Sequence, residues 1–226
     1  MSVPNVTLRT IFKKLLFDKT LICLYLKDVE IQTGSVSSAD LFYADELIAQ
    51  GDYKKAVLFL EDLVAEDPTE SAALRSLGIA FTEGGENEKA LKALRRALCL
   101  NEGDAQAEEA LGCALFRLGR FEEAHRHLAK ALSLSPHDGG ILRNLGVVTD
   151  RLGDFAEGKR LIEKACELNH FDYQALYALA SVRLRQGELE EAIALLERIA
   201  EESAPESLKV LVTDHLKNLK RYVKPE

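Results

Sequence analysis

Two neighbouring stretches of the chain share one pattern. Residues 71–104 read SAALRSLGIAFTEGGENEKALKALRRALCLNEGD, and residues 105–138 read AQAEEALGCALFRLGRFEEAHRHLAKALSLSPHD. Both have Leu-Gly at the seventh and eighth positions, Gly at the fifteenth, Ala at the twentieth and Leu at the twenty-fourth. The chain therefore contains an internal repeat of 34 residues, which is the sequence signature of stacked structural units.

The same period extends in both directions and gives five copies without a gap. The copies are 37–70, 71–104, 105–138, 139–172 and 173–206, which together make up 37–206. The eighth position is always small: Ala44, Gly78, Gly112, Gly146 and Ala180. The fifteenth is always glycine: Gly51, Gly85, Gly119, Gly153 and Gly187.

Each copy predicts two helices joined by a tight turn. Glycine after a helix supplies the left-handed backbone conformation that closes the last turn, and a small residue lets two helices approach closely. Three departures predict weaker packing in the last two copies. Thr149 and Arg183 stand at the eleventh position, which is apolar in the first three copies. Gly158 stands where the other copies have Ala, which weakens its helix by roughly 1 kcal/mol on propensity alone.

This spacing of large, small and glycine residues closely resembles the tetratricopeptide repeat (TPR). The resemblance implies an all-α fold, a right-handed superhelical solenoid of antiparallel helix hairpins. It also implies that the first helices of the copies line a concave groove that receives peptides or helices of partner proteins. Some TPR proteins hold an acidic tail through Lys and Asn at set groove positions, and that pattern is absent from this sequence.

The two flanking segments do not follow the repeat. Residues 207–226 place apolar residues along one side and predict a C-terminal capping helix, with a basic membrane-surface helix as the alternative. Residues 1–36 predict an N-terminal arm or capping helix, in which Leu8, Ile11, Phe12 and Leu15 form an amphipathic pattern. Self-association through this arm, or occupancy of a groove by it, are the alternatives.

The resemblance also implies which side chains line the groove, since the second, fifth, ninth, twelfth and thirteenth positions of TPR copies point into it. The groove candidates are Leu41, Ile48, Arg75, Ile79, Phe116, Arg117, Arg143, Val147, Arg151, Tyr177, Leu184 and Arg185. Arg117, Arg151 and Arg185 share the thirteenth position, so we expect a line of arginines roughly 10 Å apart at helix-packing distances. A partner segment that interleaves acidic with apolar residues would fit it. Alternatively, these cations are solvated and complement the helix dipole.

Composition and motifs predict no catalytic, cofactor or metal site. The net charge of −8 argues against a nucleic-acid binder. The four cysteines form no CxxC pair, so neither a zinc site nor a disulfide framework is indicated. Widely spaced cysteines and the lack of a signal-peptide pattern favour a reducing, cytoplasmic location without membrane contact.

The sequence therefore predicts a protein that holds other proteins, and two kinds of role stay open. The first is a scaffold or adaptor that binds partner peptides or helices in the TPR groove. The alternative is a chaperone of secreted or assembly client proteins that forms a homo-oligomer through its N-terminal arm.

Overall fold

The computed structural model describes residues 36–222, with side chains up to residue 219. These residues form helices and no strand, which confirms the prediction of an all-α fold. In chain order the helices are α1 (Ser38–Ala49), α2 (Tyr53–Glu66), α3 (Ser71–Glu83), α4 (Asn87–Leu100), α5 (Ala105–Arg117), α6 (Phe121–Leu134), α7 (Gly139–Arg151), α8 (Phe155–Leu168), α9 (Tyr173–Gln186), α10 (Leu189–Glu201) and α11 (Glu206–Tyr222). The predicted N-terminal arm lies, except for Val36, outside the described residues.

The helices belong to two compact units that meet within α5, one ending at Ala114 and the other beginning at Leu115. In the first unit, α1, α2, α3 and α4 pack in chain order, and α1 also packs against α3. In the second unit, α6 to α11 pack in chain order, and α7 also packs against α9. Within each unit, first helices of adjacent copies therefore lie side by side.

The turn between the two helices of a copy has the same geometry in all five copies. In the first copy, the Gly51 N–H donates to the Ile48 carbonyl at 3.0 Å, and the Asp52 N–H donates to the Leu47 carbonyl at 2.9 Å. This pair of bonds is the Schellman motif, which needs a left-handed residue at its centre. Every fifteenth-position glycine has a φ between +74° and +97°, as the sequence predicted.

The junction between two copies is closed by an aspartate at the last position of a copy. Asp104, Asp138 and Asp172 each accept a hydrogen bond from an N–H in the first turn of the next helix, at 3.0–3.1 Å. A carboxylate there satisfies a helix donor that has no partner within the helix. The aspartates thus define where α5, α7 and α9 begin.

The two helices of a copy touch at the eighth and twenty-fourth positions. A Cβ atom added at Gly78 would lie 2.6 Å from Leu94 Cδ2, and one added at Gly146 would lie 2.6 Å from Ile162 Cγ1. A Cβ atom at either position would clash with the second helix. Glycine therefore allows the two helices to approach this closely. Leu94 and Ile162 are fully buried as a result.

The three departures from the repeat pattern are accommodated in the second unit. A Cβ atom on Gly158 would lie 2.8 Å from the Gly146 carbonyl oxygen and from the Asp150 Cβ atom. Gly158 is therefore the residue that lets α8 approach α7. The buried Thr149 hydroxyl donates to the Leu145 carbonyl at 2.8 Å, and Arg183 pairs with Glu163 and Glu188 at 3.6 and 3.4 Å.

The close contact at Gly158 predicts that Gly158→Ala destabilises the protein, whereas helix propensity predicts that it stabilises the protein. Gly158→Ala gains about 1 kcal/mol of propensity but forces α8 away from α7. We expect the free energy of unfolding to fall by about 1–3 kcal/mol, measured by urea denaturation. Lys164→Ala compared with Lys164→Gly, at an exposed position in the interior of the same helix, measures the propensity effect alone. A Gly158→Ala protein that is more stable than the unaltered one would contradict the close-packing account.

Candidate partner-binding face of the first helices

The twelve groove candidates divide between the two units. The first unit holds Leu41 and Ile48 on α1, and Arg75 and Ile79 on α3, which packs against α1. All four side chains are half-buried. These residues therefore belong to the surface layer of adjacent first helices and not to the core.

Two candidate arginines are held by the aspartates that close the copies. Arg75 Nη1 donates to Asp104 Oδ2 at 2.7 Å, and Arg143 Nη1 donates to Asp172 Oδ2 at 2.7 Å. The side chains of Arg75 and Asp104 are only 24% and 6% exposed. Each arginine thus fastens its own copy to the start of the next, which reduces its availability to a partner.

The second unit holds the other eight candidates, including Arg143. Four are apolar or aromatic and half-buried: Phe116, Val147, Tyr177 and Leu184. Three are exposed arginines at the thirteenth position: Arg117, Arg151 and Arg185. Val147 and Arg151 lie on α7, while Tyr177, Leu184 and Arg185 lie on α9 beside it.

Two of the arginines at the thirteenth position, Arg151 and Arg185, contact the twelfth position of the preceding copy. Arg151 Cζ lies 6.0 Å from the centroid of the Phe116 ring, which itself packs 5.5 Å from the Phe121 ring. Arg185 Nη2 donates to Asp150 Oδ2. Both guanidinium groups are therefore oriented by their own chain. The expected spacing of roughly 10 Å between the arginines stays a prediction.

Asp150 differs from the other acids of this face because its side chain is only 2% exposed. Arg185, its ion-pair partner, is 46% exposed. The other carboxylate oxygen, Asp150 Oδ1, is buried without a hydrogen-bond partner among the described residues. A buried carboxylate is costly unless it is paired. Arg185 therefore stabilises the α7–α9 contact as well as facing solvent.

The last helix contacts one of the candidates. The Tyr177 hydroxyl lies 3.1 Å from His215 Nδ1, and the two rings stack with centroids 5.7 Å apart. Val212 and Leu216 of α11 are buried where it packs against α10. Burial raises the pKa of Tyr177. Tyr177 therefore packs against the C-terminal helix, and only the rest of the Tyr177 side chain faces solvent.

The described residues contain no group of three or more His, Cys, Asp or Glu side chains arranged to hold a metal ion. Cys166 is a free thiol, and burial raises its pKa to about 11, so this thiol stays protonated at neutral pH. Among the helices described, none has the length and apolar character needed to cross a bilayer. The cytoplasmic location stays a prediction.

Comparison with known families agrees with this architecture. Three models, each described as tetratricopeptide repeat, match residues 47–112, 105–138 and 150–207. The chain belongs to the TPR family. No curated protein matches this TPR chain.

Solved structures show the same fold. A thermophilic TPR protein of Thermus thermophilus has a TM-score of 0.72 at 22% identity, over 79% of this chain and 98% of that one. Pseudomonas aeruginosa pilF has a TM-score of 0.63 at 22% identity, over 81% and 83%. MamA of Desulfovibrio magneticus RS-1 has a TM-score of 0.57 at 16% identity, over 84% and 100%. At these identities the likeness establishes the fold alone.

The contacts of Arg185 and Arg151 predict different stabilities for two similar variants of this TPR protein. Arg185→Ala leaves the buried Asp150 carboxylate unpaired, and because Arg185 is half-exposed we expect a loss of about 2 kcal/mol, below the usual range for buried pairs. Arg151→Ala removes a contact with an aromatic ring and should cost at most about 1 kcal/mol. Chemical denaturation of both variants measures this. Equal losses would show that Asp150 does not depend on Arg185.

Proposed function

We propose that this TPR protein is a scaffold or adaptor that binds a partner segment on the face of α7 and α9. One observation supports this choice of face. The exposed Arg151 and Arg185 stand among the half-buried apolar side chains of Val147 and Leu184, on first helices that pack side by side. A surface that combines fixed cations with partly exposed apolar groups suits a segment that carries both acidic and apolar residues.

The chemistry of arginine defines the expected partner. A guanidinium presents five N–H donors in a planar fork, which can hold a carboxylate through two hydrogen bonds. Asp150 uses one side of Arg185 and the Phe116 ring lies on one face of Arg151, so donors remain on both. The two groups are ordered before a partner arrives, which reduces the entropy lost on binding. We therefore propose acidic segments with interleaved Leu or Phe as ligands.

The first unit offers a different surface. Its only cation among the candidates, Arg75, is paired with the buried Asp104, while Leu41, Ile48 and Ile79 are apolar. This surface lacks exposed arginines among the candidates. The charged part of the proposed recognition therefore belongs to the second unit.

The proposal involves holding a partner and no catalytic step. The one described thiol with a resolved pKa shift, Cys166, is protonated at neutral pH, which removes it as a nucleophile. The TPR fold provides protein-binding surfaces, so the tests below measure binding.

We expect Arg151→Gln to lose at least about tenfold in affinity for synthetic peptides of interleaved Glu and Leu, because a hydrogen bond to a charged group contributes about 1.5–3 kcal/mol. Arg185 is left in place because it stabilises Asp150. Arg126→Gln removes the same charge from an exposed position of a second helix and serves as the matched control. Peptides with Gln in place of Glu should bind the unaltered protein weakly. Equal affinity of both variants for the acidic peptide would refute the proposed face.

The chaperone alternative predicts a different assembly behaviour. If the protein guards a client, light scattering should show a homo-oligomer that dissociates when an acidic peptide is added. A scaffold should keep the same mass apart from that of the bound peptide. Neither outcome depends on whether the arginine variant loses affinity. Light scattering therefore distinguishes a scaffold from a chaperone, while the affinity measurement tests where the peptide binds.

A further inference from the structure

A cleft in the second unit opens between the N-terminal ends of α7, α9 and α11. Its volume is about 720 Å³, which is within the range of about 300–1,000 Å³ that is common for binding pockets. One wall is apolar and consists of Phe171, Pro205, Leu208 and Leu211. None of these four is a groove candidate, because they lie on α11 or in the linkers before α9 and α11.

The apolar wall exposes large side chains. Phe171 is 69% exposed and Leu211 is 46% exposed. Phe171 stands at the thirty-third position of its copy, where the first three copies have Thr69, Gly103 and His137. Neither the repeat pattern nor the core therefore requires a phenylalanine here. Exposed apolar groups that line a concave surface are typical of a binding site.

The charged side chains that line the cleft neutralise each other. Arg143 Nη1 donates to Asp172 Oδ2 at 2.7 Å. The N–H groups of Gln174 and Ala175 donate to Asp172 Oδ1 at 3.1 and 3.0 Å. Both carboxylate oxygens are thus bonded within the chain, and the other residues that line the cleft are uncharged. A charged group in the cleft would lose hydration without gaining an unpaired opposite charge, so the cleft suits apolar groups.

The cleft lies on the same two helices as the arginines of the proposed binding face. Arg143 precedes Arg151 by eight residues on α7, which corresponds to about 12 Å along the helix. Gln174 precedes Arg185 by eleven residues on α9, which corresponds to about 17 Å. An extended segment advances about 3.3 Å per residue. About four or five residues therefore connect the arginines with the cleft.

From these observations we propose that the cleft holds Leu or Phe side chains of the same acidic segment whose carboxylates bind Arg151 and Arg185. This inference rests on the proposed function and adds where the apolar groups bind and how far they lie from the acidic ones. Phe171 and Leu211 contact the apolar side chains of the segment. The exposed side-chain amide of Gln174 bonds its backbone.

The absence of tryptophan from the sequence makes a direct test available. Phe171→Trp places the only indole of the chain in the cleft. The probe is a synthetic peptide in which four residues separate a pair of Glu from a pair of Leu, made in both chain directions. Binding should shift the indole emission to the blue and reduce acrylamide quenching several-fold. The matched control is Leu58→Trp on α2, an exposed position in the first unit that should not respond.

A second measurement separates the cleft from the arginines. Phe171→Ser should lower the affinity for the Glu–Leu peptide about tenfold, because the apolar contact is lost. It should leave the affinity for a peptide with Ser in place of Leu unchanged. Leu58→Ser should change neither affinity, whereas Arg151→Gln should lower both. Circular dichroism verifies that all variants are equally helical.

The outcomes distinguish the cleft from the proposed binding face. Equal affinity of Phe171→Ser and the unaltered protein for the Glu–Leu peptide overturns the cleft, whatever the result for Arg151→Gln. A loss with Phe171→Ser but not with Arg151→Gln supports the cleft and refutes the recognition of acids by Arg151. An indole at position 171 that is protected before any peptide is added also overturns the proposal, because the chain itself or a second copy then fills the cleft.

Discussion

The structure depends on how closely the two helices of each copy approach. Gly78 against Leu94 and Gly146 against Ile162 leave no room for a Cβ atom on the glycine, so the second helix lies almost on the backbone of the first. That contact sets the position of the first helices, which then pack side by side within each unit. The candidate face on α7 and α9 exists because those two helices are held in that layer.

Much of this architecture could be predicted from the sequence because its determinants are local and periodic. The left-handed φ of Gly51 and its four equivalents follows from its place after a helix, and the same residue type recurs in every copy. The small eighth position likewise predicted a close approach of two helices, and the structure shows that the twenty-fourth position is what it contacts. The exposure of Arg151 and Arg185 also agrees with their assignment to a surface position.

The rest depends on contacts between residues that are far apart in the sequence, which the repeat pattern does not specify. The partners of Arg75 and Arg143 lie 29 residues away. The only feature of the sequence that points to these ion pairs is that both copies with Arg at the fifth position end in Asp. The burial of Asp150 could not be read from its groove position, and Gly158 was interpreted as a weak helix residue because nothing local shows that it faces Gly146. The contact of Tyr177 with His215 joins a copy to a helix outside the repeat.

The paired arginines and aspartates have a consequence for how the array folds. Asp104 and Asp172 each end one copy, bind an arginine of that copy and cap the first helix of the next, so melting of the earlier copy also releases the carboxylate that caps the later one. Repeat arrays fold through such nearest-neighbour couplings. The third copy has Glu109 at the arginine position, and its negative charge cannot neutralise the Asp138 carboxylate. The Asp138 cap of α7 therefore lacks the fifth-position arginine that supports the caps of α5 and α9, and we expect cooperativity along the chain to be uneven.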